Sequence, residues 1–292
     1  MIGTGLKEKI LPVLKILLIL WIISFATSFL FGPDMSLGTG NVAIIPIHGV
    51  IGVEESSGLT GDTISSQAVI AAIDKAEGMG VKAIIFDINS PGGSGVAADE
   101  IAQRIKSANR TTIALIRDMG TSAAYWVASS TDYVYANRMS LTGSIGVIGS
   151  YLDFSGFLEE YNITYQRYVS GELKDMGSSF KEPSEEERRI FQDIIYKMNE
   201  FFIKEVAENR NMSVISVRRL ATGQIFLGSE AKDLGLVDEL GTRKDVLDFV
   251  ASRHNITVSA FELEEKKGFL DIIFSGMGKE NFINLNPSVQ FR

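Results

Sequence analysis

Cysteine is missing from all 292 residues, which excludes disulfides, thiol catalysis and zinc–thiolate sites. It leaves the compartment open, because exported proteins also do without cysteine. Histidine is nearly missing: there are two, His48 and His254, and neither sits in a recognisable triad motif. A basic surplus is absent as well. Lys and Arg number 28 against 36 Asp and Glu, a net charge of -8, so the chain carries no electrostatic footprint for nucleic acid. No Gly-Lys-Ser/Thr follows its glycine pairs, which excludes a P-loop, and no Gly-x-Ser-x-Gly elbow occurs. Repeats and low-complexity tracts are lacking too.

What the chain does have is an apolar N-terminus. Residues 10–31 are apolar or small apart from Pro12, Lys15, Ser24, Thr27 and Ser28, and a helix needs about 20 such residues to cross a bilayer. Lys7, Lys9 and Lys15 precede the apolar core while Asp34, Glu54 and Glu55 follow it. The positive-inside bias then puts residues 1–9 in the cytoplasm and everything after residue 33 outside, at the plasma membrane. A cleaved signal peptide is the alternative, since Ala26-Thr27-Ser28 offers small residues. Cleavage there would strand Phe29, Leu30 and Phe31 in water, which favours an uncleaved anchor. The expected organisation is a cytoplasmic stretch 1–9, an anchor 10–31 in contact with lipid, a linker 32–40, a domain 41–257 and a tail 258–292.

Within the domain, strand and helix patterns alternate. VAIIPI (42–47), VKAIIFDI (81–88), TTIALI (111–116), DYVYA (132–136) and ITYQRYV (163–169) read as strands. The nearly continuous apolar run at 81–88 is the kind buried on both faces. Helices are expected at 63–79, 98–108, 123–129, 183–210, 213–220 and near 242–252, the longest started by Pro183 and Ser184. This alternation predicts an α/β domain with a largely parallel sheet.

Three stretches carry possible chemistry. FDINSPGGSG (86–95) sets Gly92 and Gly93 after a buried strand and before a helix. Glycine lets N–H groups face outward without a Cβ in the way, so the pair is either a plain tight turn or a cradle for an anion or oxyanion. DMGTSAAYW (118–126) places Ser122 between a strand and a helix, either as a helix N-cap or as a nucleophile in need of a base. YVSGELKDMGS (168–178) places Lys174 in a loop. Most such lysines are solvated, and one serves as a base only where burial lowers its pKa toward neutrality. Spacing alone does not bring Ser122 and Lys174 together.

The chain resembles the signal peptide peptidase A family of membrane-anchored Ser–Lys proteases. The likeness runs from about residue 42 to about 241, through IPIHGVI (45–51), FDINSPGGSG, DMGTSAAYW, LTGSIGVIG (141–149), SGELKDM (170–176) and GQIFLGSEAKDLGLVDELG (223–241), in that order. It implies a crotonase/ClpP-like α/β fold behind one transmembrane helix. It makes Ser122 the nucleophile and Lys174 the general base. The turn at Gly92 and Gly93 would supply an oxyanion amide, joined by an N–H at or beside Ser122, and Ser144 would orient the lysine. It further implies no metal or organic cofactor, peptide substrates such as remnant signal peptides, and a homo-oligomer. One departure is Ser122-Ala123-Ala124 where the family often has Ser-Gly-Gly; two added methyls would narrow the pocket toward small side chains. Two other classes remain open: an acyl-CoA enzyme of the same fold, and a non-enzymatic membrane scaffold that binds peptides. Four Asn-x-Ser/Thr sequons, at Asn109, Asn162, Asn211 and Asn255, are sites for glycan only if the domain is exported in a cell equipped for it.

Overall fold

The computed structural model describes residues 14–22, 24, 40–54, 56–58 and 61–263. The chain divides into two units, Gly40–Leu263 on one hand and Met1–Thr39 with Glu264–Arg292 on the other. The second unit is described only at 14–22 and 24, a helical stretch (α1) of exposed side chains. Among the described residues no helix is long and apolar enough to cross a membrane. The anchor expected at 10–31 falls partly outside the described residues. Residues 1–9, Ala26-Thr27-Ser28, the linker up to residue 39 and the tail from 264 lie wholly outside them.

The domain is built on long parallel strands. β1 (Val42–Gly52), β4 (Ala83–Gly93), β5 (Thr111–Thr121) and β6 (Tyr133–Ala136) lie side by side in that order. β9 (Glu239–Leu240) extends the sheet beyond β6. β3 (Gly61–Ser65) and β10 (Ala260–Glu262) both pair with β1, and β2 (Ser56–Gly58) closes antiparallel on β3. β10 thus adds to the sheet three residues from the stretch read as tail. A second antiparallel pair, β7 (Leu141–Gly143) with β8 (Ile225–Leu227), attaches to the end of β5.

Alternation along the strands explains why they read as continuous apolar runs. In β4, Ile84, Phe86 and Ile88 enter one core with Val69 and Ile73 of α2 (Ser66–Gly78), Ile101 of α3 (Gly95–Lys106) and all of α4 (Ala123–Ser129) except Ser129. Ala83 and Ile85 point the other way, toward Val246 and Val250 of α9 (Arg243–His254). The long α6 (Glu185–Asn209) closes the larger core with Phe202, whose ring stacks on Trp126 at 4.9 Å. Ser184 starts α6 through a capping box with Glu187, as the Pro183-Ser184 signal predicts. Three short helices, α5 (Ser155–Glu160), α7 (Val214–Leu220) and α8 (Gly228–Asp233), complete the domain.

Three local expectations are corrected. The stretch 163–169 forms no strand; Ile163, Tyr165 and Tyr168 are exposed, and no neighbouring edge offers hydrogen bonds. The turn expected at 90–95 is strand as far as Gly93, because Gly92 and Gly93 stay paired with Val50 and Ile51 of β1. The helix expected from 63 starts at Ser66, since residues 63–65 pair with β1 and Ser65 caps the helix by accepting from the Ala68 N–H.

Phe202 is 2% exposed, so Phe202→Ala should leave a cavity under Trp126 and cost about 3–5 kcal/mol, read as a fall in the urea midpoint at unchanged slope.

Candidate active site

Ser122 follows the last residue of β5 and opens α4, with φ 54° and ψ -126°. Positive φ is costly for a residue with a Cβ, of the order of 1–3 kcal/mol, and persists only where the surroundings impose it. Here they do. The Ser122 N–H donates to the Gly143 carbonyl at 2.9 Å, and its carbonyl accepts from the Trp126 N–H at 3.0 Å. Behind it every residue of α4 is buried, so the turn stands on an immobile base. Ser122 occupies the N-cap position, yet its hydroxyl makes no capping hydrogen bond. The structural alternative for this serine therefore fails: its side chain is held out of the helix rather than spent on it.

The glycine pair abuts this turn. A Cβ on Gly92 would come within 2.8 Å of the Thr121 carbonyl and 2.9 Å of both the Ala123 nitrogen and the Ser122 Cβ. A Cβ on Gly93 would fall 2.0 Å from the Ile51 carbonyl. Both glycines are thus required by close approach, Gly92 to Ser122 and Gly93 to β1. Thr121 Oγ1 donates to the Pro91 carbonyl at 3.1 Å and pins the two strand ends together. The Gly92 N–H already donates to Ser90 Oγ at 3.1 Å, whereas no hydrogen bond takes up the Ala123 N–H. The first N–H groups of a helix have no partner within it, so Ala123 carries a donor beside Ser122, at a position where the resemblance expects a second amide.

Ser144 arrives by register. β7 lies parallel to the end of β5 with Thr121 opposite Gly143, so Ser122 and Ser144 each follow a paired residue on adjacent strands. Ser144 too has positive φ, 50°, and its N–H donates to the Gln224 carbonyl at 2.7 Å.

Lys174 is placed differently. It is exposed, in a turn where its N–H donates to the Gly171 carbonyl at 3.0 Å, and its ammonium has no hydrogen-bond or ion-pair partner among the described residues. The fold of this chain therefore joins Gly92, Gly93, Ser122 and Ser144 but does not bond Lys174 to them. The lysine's turn is nevertheless clamped. Arg167 Nε donates to Asp175 at 2.6 Å, and Lys181 bridges Asp175 at 3.1 Å and Glu187 at 2.6 Å. The Arg167 guanidinium, aided by Lys181, holds Asp175 well below the usual carboxylate range, and Lys181 lowers Glu187. Glu187 in turn raises Lys181.

The histidines stay apart from the serine. His48 Nε2 is 3.8 Å from Asp87, and His254 Nε2 lies 3.1 Å from Thr111 Oγ1 at the opposite end of β5. Among the described residues no group of three or more His, Cys, Asp or Glu could hold a metal ion.

The mostly parallel α/β sheet presents at a strand–helix junction a strained serine whose hydroxyl is uncommitted, an arrangement that suits a nucleophile. The comparisons agree. Residues 104–257 match Peptidase family S49, and residues 50–154 match the N-terminal domain of NfeD1b. The chain is 32% identical over 250 residues to "Putative signal peptide peptidase SppA" of Enterococcus faecium, covering 83% of this chain and 72% of that protein. It is 32% identical over 207 residues to "Putative protease MJ0651" of Methanocaldococcus jannaschii, 68% of this chain and 67% of that one. "Protease 4" of Haemophilus influenzae is 31% identical, with 76% of this chain spanning 37% of it. Among solved structures, "1510-N membrane-bound stomatin-specific protease S97A mutant" shares the fold at TM-score 0.50 and 17% identity, over 77% of this chain and 98% of that one. The chain belongs to peptidase family S49, the signal peptide peptidase A family, and its class is that of the serine proteases.

Ser122→Gly should relieve the positive φ while Ser122→Ala keeps it. After the entropy that glycine adds to the unfolded chain, the glycine variant should exceed the alanine variant by about 1 kcal/mol in equilibrium unfolding; equal stabilities would mean the turn is unstrained. The clamp around Lys174 has its own pH window. Asp175 and Glu187 have depressed pKa values, so their stabilisation is full above the unfolded carboxylate range of about 4 and is lost as pH falls below it. Lys181 is raised, so its share lasts until pH climbs past about 10.4. Corrected amide-exchange protection at 170–176 should be flat from about pH 5 to 10 and drop on acidification.

Proposed function

We propose that this chain is a membrane-anchored serine endopeptidase working through a Ser122–Lys174 dyad on a crotonase/ClpP-like fold, with remnant signal peptides and other apolar segments as substrates. The observation that carries the proposal is the Ser122 turn: a strained serine whose hydroxyl makes no structural bond, beside a glycine that no larger residue could replace.

Neutral Lys174 takes the proton from Ser122 Oγ as that oxygen attacks the peptide carbonyl. The developing oxyanion is met by the Gly93 N–H at the end of β4, beside Gly92 whose own N–H is held by Ser90 Oγ, and by the Ala123 N–H. On collapse the C–N bond breaks and the lysine returns the proton to the leaving amine. Water, deprotonated by the same lysine, then releases the acyl group and frees Ser122. Ser144 is the hydroxyl that orients the lysine. No metal or organic cofactor takes part in these steps.

A lysine works this way only when desolvated, and Lys174 is exposed in the single chain. The stretch around it is rich in uncovered apolar side chains: Ile148 is 88% exposed, Leu152 70% and Tyr168 89%. Contiguous patches of this kind mark interaction surfaces. Packing copies of the chain together over this arm covers those side chains, removes water from Lys174 and brings it to Ser122. The active unit is accordingly a homo-oligomer, anchored in the plasma membrane through residues 10–31 with the domain outside.

Hydrolysis of a fluorogenic peptide by the detergent-solubilised protein is the test. Ser122→Ala and Lys174→Ala should each lower kcat by at least about 10³-fold without loss of assembly. Cleavage by Ser122→Ala would reject the nucleophile, and a wild type that assembles but never cleaves would favour the peptide-binding scaffold.

A further inference from the structure

At the far end of the sheet from Ser122 the strands begin around a polar cavity of about 500 Å³. It is lined by Lys82 before β4, Arg110 before β5, Arg253 and His254 at the end of α9, and Asp132 and Tyr133 at the start of β6. Thr111 in its wall and Ser122 bracket the 11 residues of β5, which puts the cavity about 30 Å from the nucleophile.

The cations in this cavity have no hydrogen-bonded acidic partner among the described residues, although the charge of Arg110 acts on Glu77. No hydrogen bond or ion pair among the described residues takes up the side chains of Lys82, Arg110 or Arg253; Arg253 only overlies the Tyr133 ring at 5.2 Å. The Arg110 Nε is fully buried and has no hydrogen-bond partner. Nearby carboxylates are committed elsewhere. Glu77 accepts from Arg104 and, at 2.6 Å, from the Asn109 N–H. Asp132 Oδ2 accepts from the Thr112 N–H at 2.8 Å and its hydroxyl at 3.0 Å. In a chain with net charge -8, leaving three cations unpaired around one cavity calls for a reason. Arg253 and His254 have one in the negative end of the α9 dipole. Lys82 and Arg110 stand outside that helix and do not. A buried arginine N–H without an acceptor costs free energy unless something fills the role.

We infer that this cavity binds a phosphate group, whose oxygens accept from the Arg110 fork while Lys82 and Arg253 balance its charge. Two sources fit the same chemistry: a soluble phosphate compound, and the headgroup of an anionic phospholipid. The site serves no step of peptide cleavage.

The test is calorimetric titration of the detergent-solubilised full chain with inorganic phosphate, and separately with glycerophosphoglycerol as a phosphodiester headgroup. The wild type should bind at least one of them. Arg110→Gln should weaken that binding at least tenfold, and so should Lys82→Gln/Arg253→Gln, whose side chains are exposed and whose loss leaves the core intact. Hydrolysis of a soluble peptide should stay within twofold of wild type in all variants. Tighter binding of the diester assigns the site to a lipid headgroup, and tighter binding of inorganic phosphate assigns it to a soluble compound. Binding of neither probe, or binding that both variants retain in full, overturns the proposal.

Discussion

The hydrogen bond from the Ser122 N–H to the Gly143 carbonyl is the constraint on which the candidate active site depends. It draws β7 onto the end of β5, holds Ser122 at positive φ, and leaves the serine side chain with no role in capping α4. Everything near it is arranged to withstand that strain. α4 is buried along its whole length, Trp126 is stacked on Phe202 of α6, and Tyr125 sends its hydroxyl to the Leu236 carbonyl at 2.8 Å. Gly92 is the other half of the arrangement, since any Cβ there would collide with the Ser122 turn. A core packed this closely transmits strain rather than absorbing it, so the geometry of one serine is paid for across three elements.

The lysine side of the site is governed by different physics. Its turn is held by a largely covered ion-pair cluster, Arg167, Asp175, Lys181 and the buried Glu187, not by a hydrophobic core. Ion pairs contribute little singly and more as a network. The result is a rigid sheet that presents the serine and an arm, rich in exposed aromatic and aliphatic side chains, that presents the lysine. If Lys174 is the base, as proposed, a site divided in this way has a natural means of control, because the lysine would acquire the right environment only when the arm is covered. In the proposed assembly, unassembled chains would carry a formed nucleophile turn and a solvent-exposed Lys174 apart from it, and so remain idle.

How far the sequence made this legible varied with the range of the interactions involved. α4 at 123–129 and the Ser184 start of α6 were readable because caps and apolar runs are local signals. The strand β4 was readable because its two faces are both buried, which leaves an uninterrupted apolar run. The stretch 163–169 misled because its β-branched and aromatic residues, Ile163, Thr164, Tyr165, Tyr168 and Val169, mimic a strand that finds no partner edge among the described residues. Gly92 and Gly93 read as a turn because glycine pairs usually are, while their pairing with β1 is a long-range fact. The neighbourhood of Ser122 and Ser144 rests on the register of β5 against β7, which no local pattern encodes; the resemblance had tied Ser144 to Lys174 instead.

The central claim is that the Ser122 hydroxyl is free to be acylated. Its most direct test is to treat the detergent-solubilised protein with a fluorophosphonate and locate the adduct by peptide-mapping mass spectrometry. The account predicts a single phosphonyl adduct on Ser122, formed by the wild type and absent from Lys174→Ala. An adduct on another serine, or a wild type that cleaves peptides while Ser122 stays unmodified, would contradict it.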